Sequence, residues 1–417
     1  MEGINRNDSA YKSILSLESH LKEIMQAGGK RWEGAQMMAR ANLMFNAKPL
    51  DPEHMRPLVN LMCILLSNSL TLVTPTFDPL GLMMDPRACT ANHSCDPNAI
   101  IVMDGPKFQF RALKKIAVDE EVLISYSEND QPFGVRQADL KERWHFVCRC
   151  SRCQFGPHGR FDDFLPSGAN IKADKIAEFE QVYQDALKDP DFERHKLGPS
   201  PRERLLSTIQ AQTFAYLESA DLGKPEEALE LSQRAITICR STEAWPTHRA
   251  PIPALFRMMF LAETRLGRYS AAFLGCLQTY FVIDPVVYPE PFHPVRIVHA
   301  WTLATLARAI DQLPPDPENI VQLYAKDHNM RFGIMFVGLL MEIHEQIPKS
   351  HGRDSVLGRL VEMSWRELME PEGDMMQEQA HLGWSREQWH EMYKRSWAEE
   401  KPKFKVLASD GKPPRDG

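Results

Sequence analysis

The sequence predicts an α+β protein, in which a small β-rich domain is followed by an all-α domain. Three observations support this fold class. Apolar residues recur at helical spacing before Leu66, short β-type segments separated by Gly and Pro continue to Tyr126, and helical periodicity resumes after Pro166. Because 417 residues exceed the usual size of one hydrophobic core, two domains are expected.

Residues 1–66 are expected to form a helical segment that leads into the sheet. Apolar residues within 11–25 fall on one helical face, and Gly28 and Gly29 then end the pattern. A second helix is predicted over 52–66, because proline is favoured in the first turn of a helix.

Residues 67–130 are expected to form the small sheet. Asp104 and Gly105 separate two of the β-type runs and predict a hairpin, which Pro106 lengthens. The four predicted strands cover residues 70–74, 99–103, 107–112 and 122–126.

Residues 161–400 are expected to be helical. The segments beginning at Asp221 and Arg265 share Leu, Gly, a cation and Ala at equal offsets, which predicts two helix–turn–helix units. Gly223 and Gly267 then lie in the turns, and the unit resembles a tetratricopeptide-like helical pair. The polar residues 401–417 are expected to be a disordered tail.

Charge and hydropathy exclude several classes of partner. A formal net charge of −7 argues against non-specific binding to DNA or RNA, which depends on Lys and Arg neutralising phosphates; a basic protein tail is more compatible. The polar first residues lack a secretory pattern, and the apolar runs at 58–66 and 332–341 are shorter than the roughly 18 residues of a membrane helix. We therefore expect a cytosolic start, no nucleic-acid partner and no membrane.

Three cysteines within six residues, Cys148, Cys150 and Cys153, predict a metal-binding loop at 131–160. A structural zinc site needs four ligands, and Cys95 is the best candidate for the fourth. Two alternatives stay open: the three thiols bind no metal, or His158 is the fourth ligand.

Three motifs occur in a characteristic order. They are the segment Asn92-His-Ser-Cys-Asp-Pro-Asn98, the segment Glu120-Glu-Val-Leu-Ile-Ser-Tyr126 and the Cys148-x-Cys-x-x-Cys153 loop, preceded by Asn68-Ser-Leu-Thr-Leu72. This order resembles a SET domain with its post-SET zinc loop, of the fungal type within the SET and MYND family of protein lysine methyltransferases. The resemblance implies a small β-rich SET core in which residues 67–130 form its carboxyl-terminal half.

The resemblance also implies a cofactor, S-adenosylmethionine. Asn92 and His93 are expected to meet its methionine and adenine portions, partly through backbone groups. Asn68 matches a position that hydrogen-bonds the cofactor, and Phe146 matches an aromatic residue that covers the adenine. The zinc ligands implied are the same four cysteines.

The resemblance further implies that Tyr126 is the catalytic tyrosine and that Trp144 closes the lysine channel beside it. Transfer of a methyl group from sulfur to nitrogen is an in-line displacement, so alignment supplies much of the rate. An apolar aromatic channel favours the neutral, attacking form of the lysine amine by desolvation. The alternative is that Trp144 and Phe146 are ordinary core residues.

Two features of the family are not found in this sequence: a Gly-x-Gly loop that contacts the cofactor, and a MYND zinc finger. We therefore expect weak or absent turnover by this chain alone. The predicted function is methylation of lysines on histones or other proteins in the nucleus and cytoplasm. The alternative is an impaired SET-domain remnant that acts as a protein-binding scaffold; a zinc-dependent DNA-binding module is disfavoured by the acidic charge. The oligomeric state does not follow from the sequence.

Overall fold

A computed structural model describes residues 9–128, 131–159, 173–186, 200–317, 319–369 and 384–410, together with Asp162, Phe164 and Ile171. Contacts divide the chain into two compact units. The first unit comprises Met1–Asn129 and Phe133–Gly159, and the helical unit comprises Asp130–Pro132 and Arg160–Gly417.

The first unit begins with helices that pack on one another. The helix predicted over 11–25 is interrupted, because His20 adopts a left-handed conformation with φ of 49°. A further helix starts at Gly29 where we predicted none, whereas the helix predicted at 52–66 is confirmed and is capped by Asp51, which accepts the His54 N–H. The helices of this segment are α1 (Ser9–Leu15), α2 (Leu21–Ala27), α3 (Gly29–Phe45) and α4 (Pro52–Asn68).

One apolar cluster holds α2, α3 and α4 together. Ile24, Ala35, Ala39 and Cys63 are each at most 1% exposed within it. The alanines of α3 present small side chains to the larger residues of α4, so the two helices approach closely. This cluster fixes Asn68, the last residue of α4, at the start of the β-rich part.

The β-rich part consists of three two-stranded ladders. All four predicted strands are present, and two further strands, β2 and β3, were not predicted. The strands are β1 (Leu70–Val73), β2 (Pro79–Met83), β3 (Asn92–His93), β4 (Ala99–Asp104), β5 (Lys107–Ala112) and β6 (Leu123–Ile124).

The pairing of the strands positions the predicted site. β1 pairs with β2 and β4 pairs with β5, both antiparallel, and Gly105 has φ of 61° in the predicted turn between β4 and β5. β3 and β6 pair in parallel, with Asn92 opposite Leu123 and His93 opposite Ile124. Helix α5 (Phe133–Trp144) follows and precedes the cysteine loop.

The helical unit confirms the predicted all-α region, since residues 200–317 contain helices and turns and no strand. Its described helices are α6 (Ala173–Ala186), α7 (Pro201–Leu222), α8 (Pro225–Ser241), α9 (Ile252–Arg265), α10 (Tyr269–Gln278), α11 (Asp284–Val287), α12 (Pro294–Gln312), α13 (Ile320–Asp327), α14 (Phe332–Gln346), α15 (Val356–Met369) and α16 (Arg386–Asp410).

The turns of the helical unit follow the sequence signals. Gly223 ends α7 and Gly267, with φ of 73°, separates α9 from α10, so both glycines lie in the predicted interhelical turns. Proline occupies the first turn of α7, α8 and α12, where its missing N–H costs no hydrogen bond. Ser200 and Glu203 add a capping box to α7.

The expectation that residues 401–417 are disordered is wrong as far as Asp410. Helix α16 continues through this segment because Phe404 and Leu407 are buried, at 0% and 3% exposure. Its Trp397 lies directly against Gly338 of α14 and donates a 2.7 Å hydrogen bond to Glu342. Residues 411–417 lie outside the described part of the chain.

Within the part of the chain that the structure describes, one helical run, Tyr269–Val287, is long and apolar enough by length and composition to cross a membrane. It comprises α10, a π-helical turn at Thr279–Ile283 and α11. Phe273, Cys276 and Leu277 are completely buried within the unit. This packing is that of a core helix.

Candidate active site and thiol cluster

The parallel pairing of β3 and β6 brings the Asn-His segment beside the strand that leads to Tyr126. The ladder continues past the strands, because the Ser94 N–H donates to the Ile124 carbonyl at 2.9 Å. The Tyr126 N–H donates to Nδ1 of His93, also at 2.9 Å. Two motifs far apart in sequence therefore form one site.

Tyr126 lies in an aromatic surround. Its ring centroid is 5.0 Å from Trp144, 5.2 Å from His93 and 6.5 Å from Phe146. Its hydroxyl donates to the Ala91 carbonyl at 2.7 Å. Burial raises the pKa of Tyr126 to about 12, so the hydroxyl is neutral at physiological pH and serves as a hydrogen-bond donor.

Trp144 and Phe146 reach Tyr126 from the end of α5. The intervening residue His145 has φ of 61°, which turns the chain between the two aromatic residues. The Trp144 indole N–H donates to the Ser67 carbonyl at 2.8 Å, so the ring is tied to the end of α4. The structure thus brings together three of the residues predicted from the sequence.

The two predicted cofactor-facing amides are both engaged within the protein. Asn68 donates to the carbonyls of Glu18 and Ile64 at 2.8 and 2.9 Å. The exposed Asn92 donates to the Glu121 carboxylate at 2.6 Å. Their predicted contacts with the cofactor remain predictions.

The four predicted metal ligands, Cys95, Cys148, Cys150 and Cys153, lie together. Their sulfur atoms are all within 4.8 Å of one another, and three of the four residues are buried. Zinc–sulfur bonds of about 2.3 Å in a tetrahedron separate the sulfurs by roughly 3.8 Å, so the cluster fits one zinc ion after small adjustment. The side chain of His158, the alternative ligand, lies outside the described residues.

Hydrogen bonds within the cluster make its thiols unequal in acidity. A hydrogen bond from Cys95 lowers the pKa of Cys150 well below the ordinary value of a thiol. That hydrogen bond, together with burial, raises the pKa of Cys95. A metal ion removes this asymmetry because every ligand is then a thiolate.

Sequence reasoning missed two residues of α5 that support the cluster. Arg136 is completely buried and directs Nη2 towards the Cys153 sulfur at 3.9 Å, so a cation faces the thiolates. The Gln137 side chain pairs with both backbone groups of Cys148, at 2.9 and 3.0 Å. The sequence signal for Arg136 was its position on the apolar face of α5, three residues after Phe133 and four before Leu140.

A second set of contacts joins the two cysteine-bearing segments. Ser151 donates to Asp96 at 2.9 Å, and Lys114 forms an ion pair with the same carboxylate. Although burial acts in the opposite direction, these hydrogen bonds lower the pKa of Asp96. The carboxylate is therefore charged and holds the Cys95 segment beside the loop.

His93 contacts both the tyrosine and the thiol cluster. Besides accepting from the Tyr126 N–H, its ring has Nε2 at 3.2 Å from the Cys95 sulfur. Burial lowers the pKa of His93 to about 4, so the imidazole is neutral.

The chain is similar to known proteins over this region. Residues 11–127 match the family model described as SET domain. The chain is 36% identical over 145 residues to SET domain and MYND-type zinc finger protein 6 of Schizosaccharomyces pombe, covering 34% of this chain and 28% of that protein.

Two further relatives carry names that include an activity. The histone-lysine N-methyltransferase ASHR1 of Arabidopsis thaliana is 30% identical over 183 residues, covering 43% of this chain and 36% of the relative. The histone-lysine N-methyltransferase SMYD3 of Homo sapiens is 28% identical over 158 residues, covering 37% and 36%. The chain spans about a third of the length of these three curated relatives.

Proposed function

We propose that this chain, which has a SET domain and resembles proteins of the SET and MYND type, is an S-adenosylmethionine-dependent protein lysine N-methyltransferase. The observation that carries the proposal is the pairing of His93 with Tyr126 inside an aromatic surround. Substrates are basic segments of histones or other proteins, which complement the net charge of −7.

The side chains of the site support methyl transfer without an acidic or basic catalyst. When bound, S-adenosylmethionine would supply a methyl group on its sulfonium, and its neutral thioether product would be the leaving group. Tyr126 offers a neutral hydroxyl whose oxygen can accept a hydrogen bond from the N–H of the lysine amine while its own proton is donated to the Ala91 carbonyl. Trp144 and Phe146 exclude water and so favour the uncharged amine, whose lone pair attacks the methyl carbon.

Zinc, when bound by the four cysteines, supplies a structural cross-link beside this site. The free state of all eight cysteines is compatible with a reducing compartment. We accordingly propose that the protein acts in the nucleus and cytoplasm.

A methylation assay tests the proposal. The purified chain is incubated with labelled S-adenosylmethionine and either core histones or a mixed cytosolic protein fraction. We expect slow labelling of lysine, in keeping with the weak turnover expected of this chain, and a further loss of about a hundredfold in Tyr126→Phe because the amine is no longer aligned. Tyr269→Phe, at an exposed position of the helical unit, is the matched control and should retain full turnover. Turnover unaffected by Tyr126→Phe would defeat the mechanism.

One observation favours a second function, that of a non-catalytic binding scaffold. The amides of Asn68 and Asn92 are already hydrogen-bonded to protein groups, and each intramolecular bond contributes about 0.5–1.5 kcal/mol. Cofactor contacts that must displace them are weakened accordingly. Calorimetry with S-adenosylmethionine distinguishes the two functions: measurable binding supports the enzyme, and absence of binding supports the scaffold.

A further inference from the structure

The two ring nitrogens of His93 have different partners, which fixes the position of its proton. A backbone N–H can only donate, so the Nδ1 atom that receives the Tyr126 N–H must carry a lone pair. The proton of the neutral ring is therefore on Nε2, 3.2 Å from the Cys95 sulfur, and points towards that sulfur. This assignment follows from geometry.

We propose that His93 is a positioning residue that couples the metal centre to Tyr126, by donating Nε2–H to the Cys95 thiolate while accepting the Tyr126 N–H at Nδ1. The inference rests on the proposed function and goes beyond it, because the family resemblance implies a role for His93 in holding the cofactor, whereas here its imidazole acts inside the protein.

The coupling has a physical basis in the strength of the sulfur acceptor. A metal-bound thiolate accepts a charge-assisted hydrogen bond that is shorter and stronger than a bond to a neutral thiol. Metal at Cys95 thus fixes the Nε2 end of the imidazole, and a rigid ring transmits that fixation to Nδ1. The Tyr126 backbone is positioned by the same ring.

Neighbouring groups also restrict rotation of the His93 imidazole. The His93 centroid is 5.2 Å from Tyr126 and 5.8 Å from Phe146, so aromatic rings pack near the imidazole. His93 also belongs to β3, whose backbone is paired with β6. A change in the hydrogen bond at the Cys95 sulfur therefore moves the backbone of Tyr126 and does not simply rotate the His93 ring.

Two conservative variants separate the two ends of the link. In His93→Asn the amide reaches the position of Nδ1, so it can accept the Tyr126 N–H but cannot donate to Cys95. In His93→Gln the longer amide reaches the position of Nε2, so it can donate to Cys95 but leaves the Tyr126 N–H without its acceptor. His328→Gln, on the surface of the helical unit, is the control.

The readouts are cobalt binding and steady-state kinetics of the full chain. We expect His93→Asn to weaken Co²⁺ binding about tenfold and to shift the sulfur-to-cobalt charge-transfer band. Loss of a hydrogen-bond partner of a metal ligand typically lowers metal affinity by about 10–100-fold. We expect His93→Gln to lower kcat at least tenfold, with a smaller effect on Co²⁺ binding and on KM for S-adenosylmethionine. Equal loss of both properties in the two variants, or the reverse pattern, overturns the proposal.

A measurement on the unsubstituted protein needs no variant and no activity. With ¹⁵N-labelled histidine and tyrosine, the spectrum should show the His93 proton on Nε2, and stripping the metal under conditions where the protein stays folded should shift the Tyr126 backbone amide. A proton on Nδ1, or an unmoved Tyr126 amide, refutes the coupling. If methylation fails while the tautomer and the amide shift are as expected, the proposed function fails and the link between the metal centre and Tyr126 stands.

Discussion

The two units of the chain are stabilised in different ways. In the helical unit the backbone hydrogen bonds form within each helix. Large apolar residues such as Phe273 and Leu303 fill the core and are 0% exposed. In the first unit β3 and β6 are two residues long, and side chains such as Asn98 and Gln137 bond the backbone of distant segments. The site in the first unit is thus held by polar cross-links beside a cluster of four cysteines, whereas apolar packing holds the helical unit together.

Metal removal should give the largest difference between the units. We expect one zinc per chain, and a chelator should destabilise the first unit by about 4 kcal/mol or more, as for a ligand present at a thousandfold over its Kd. The unfolding transition of the helical unit should not move. Metal analysis and calorimetry with and without chelator measure both effects.

Cysteine variants provide the control for metal removal. Cys150→Ser should lose the zinc, whereas Cys89→Ser, at a half-buried cysteine outside the cluster, should keep it. Zinc that is fully retained by Cys150→Ser, or a preparation of the unsubstituted protein without zinc, would count against the site.

Packing in the helical unit is tested by Gly338→Ala. A Cβ at this position would lie 2.3 Å from the indole ring of Trp397, which is 5% exposed and tied to Glu342. Alanine favours helices over glycine by roughly 1 kcal/mol, but the clash should win and destabilise the unit by about 3 kcal/mol. Urea unfolding followed by circular dichroism measures the change.

The matched control lies on the same helix. Gly333→Ala brings its Cβ within 3.2 Å of the Asp311 carboxylate, which is exposed and can move. We expect its effect to be small. If Gly338→Ala were as stable as Gly333→Ala, close packing of α16 on α14 would be the wrong description.

A polar cross-link of the first unit is tested by Asn98→Ala. Asn98 is 6% exposed, accepts the Leu123 N–H at 2.8 Å, and donates to the Glu121 carbonyl and the Glu120 carboxylate. Its loss should destabilise the unit by about 2–3 kcal/mol, because bonds of about 1 kcal/mol are lost and partners are left unsatisfied.

Amide exchange and an exposed asparagine complete this test. Asn98→Ala should speed hydrogen exchange at Leu123, whereas Asn46→Ala, at an exposed helix end, should change neither exchange nor stability appreciably. Unchanged Leu123 protection in Asn98→Ala would show that the ladder, and not the side chain, holds β6.

The smallest expected effect is a pH dependence of the helical unit between pH 7 and pH 5, which reaches only about 2 kcal/mol at pH 5. Burial lowers the pKa of His293 to about 3, whereas the unfolded chain has the ordinary value of about 6.5. Below pH 6.5 the unfolded state binds a proton that the folded state does not, so stability falls as the pH drops, by about 1.4 kcal/mol for each pH unit until pH 3 is approached.

His293→Gln should flatten this dependence, because glutamine does not titrate. Denaturant unfolding at pH 7, 6 and 5 measures the slope, and His328→Gln at an exposed site is the control. An identical slope in His293→Gln and the unsubstituted protein would assign the acid sensitivity to other groups.

Elements governed by local chemistry were predictable from the sequence. The β4–β5 hairpin follows from Asp104 and Gly105 between two β-type runs, and the turns at Gly223 and Gly267 follow from the repeat. The grouping of Cys95 with the three loop cysteines was also foreseen, although the zinc itself and the catalytic roles of the site residues remain predictions.

The missed features depend on context that a local pattern does not carry. Gly28 and Gly29 end the preceding helix as predicted, but both adopt φ of 64° and α3 begins at Gly29, where no helix was predicted. β3 is too short to show alternation and exists because β6 pairs with it. Arg136 was missed because a cation on an apolar helix face makes sense only when the thiolates that it faces are known.

A metal bound by the four cysteines would also restrict the conformations of the unfolded chain. Cys95 and Cys148 enclose the β4–β5 hairpin, β6 and α5, so a metal that joins them restricts a long loop of polymer. The entropy of closing such a loop grows with the logarithm of its length, and a doubling costs only about 0.6 kcal/mol. Extra residues at the exposed turn around Gly105 should therefore leave metal affinity almost unchanged, whereas a single insertion between Cys150 and Cys153 alters the ligand geometry itself.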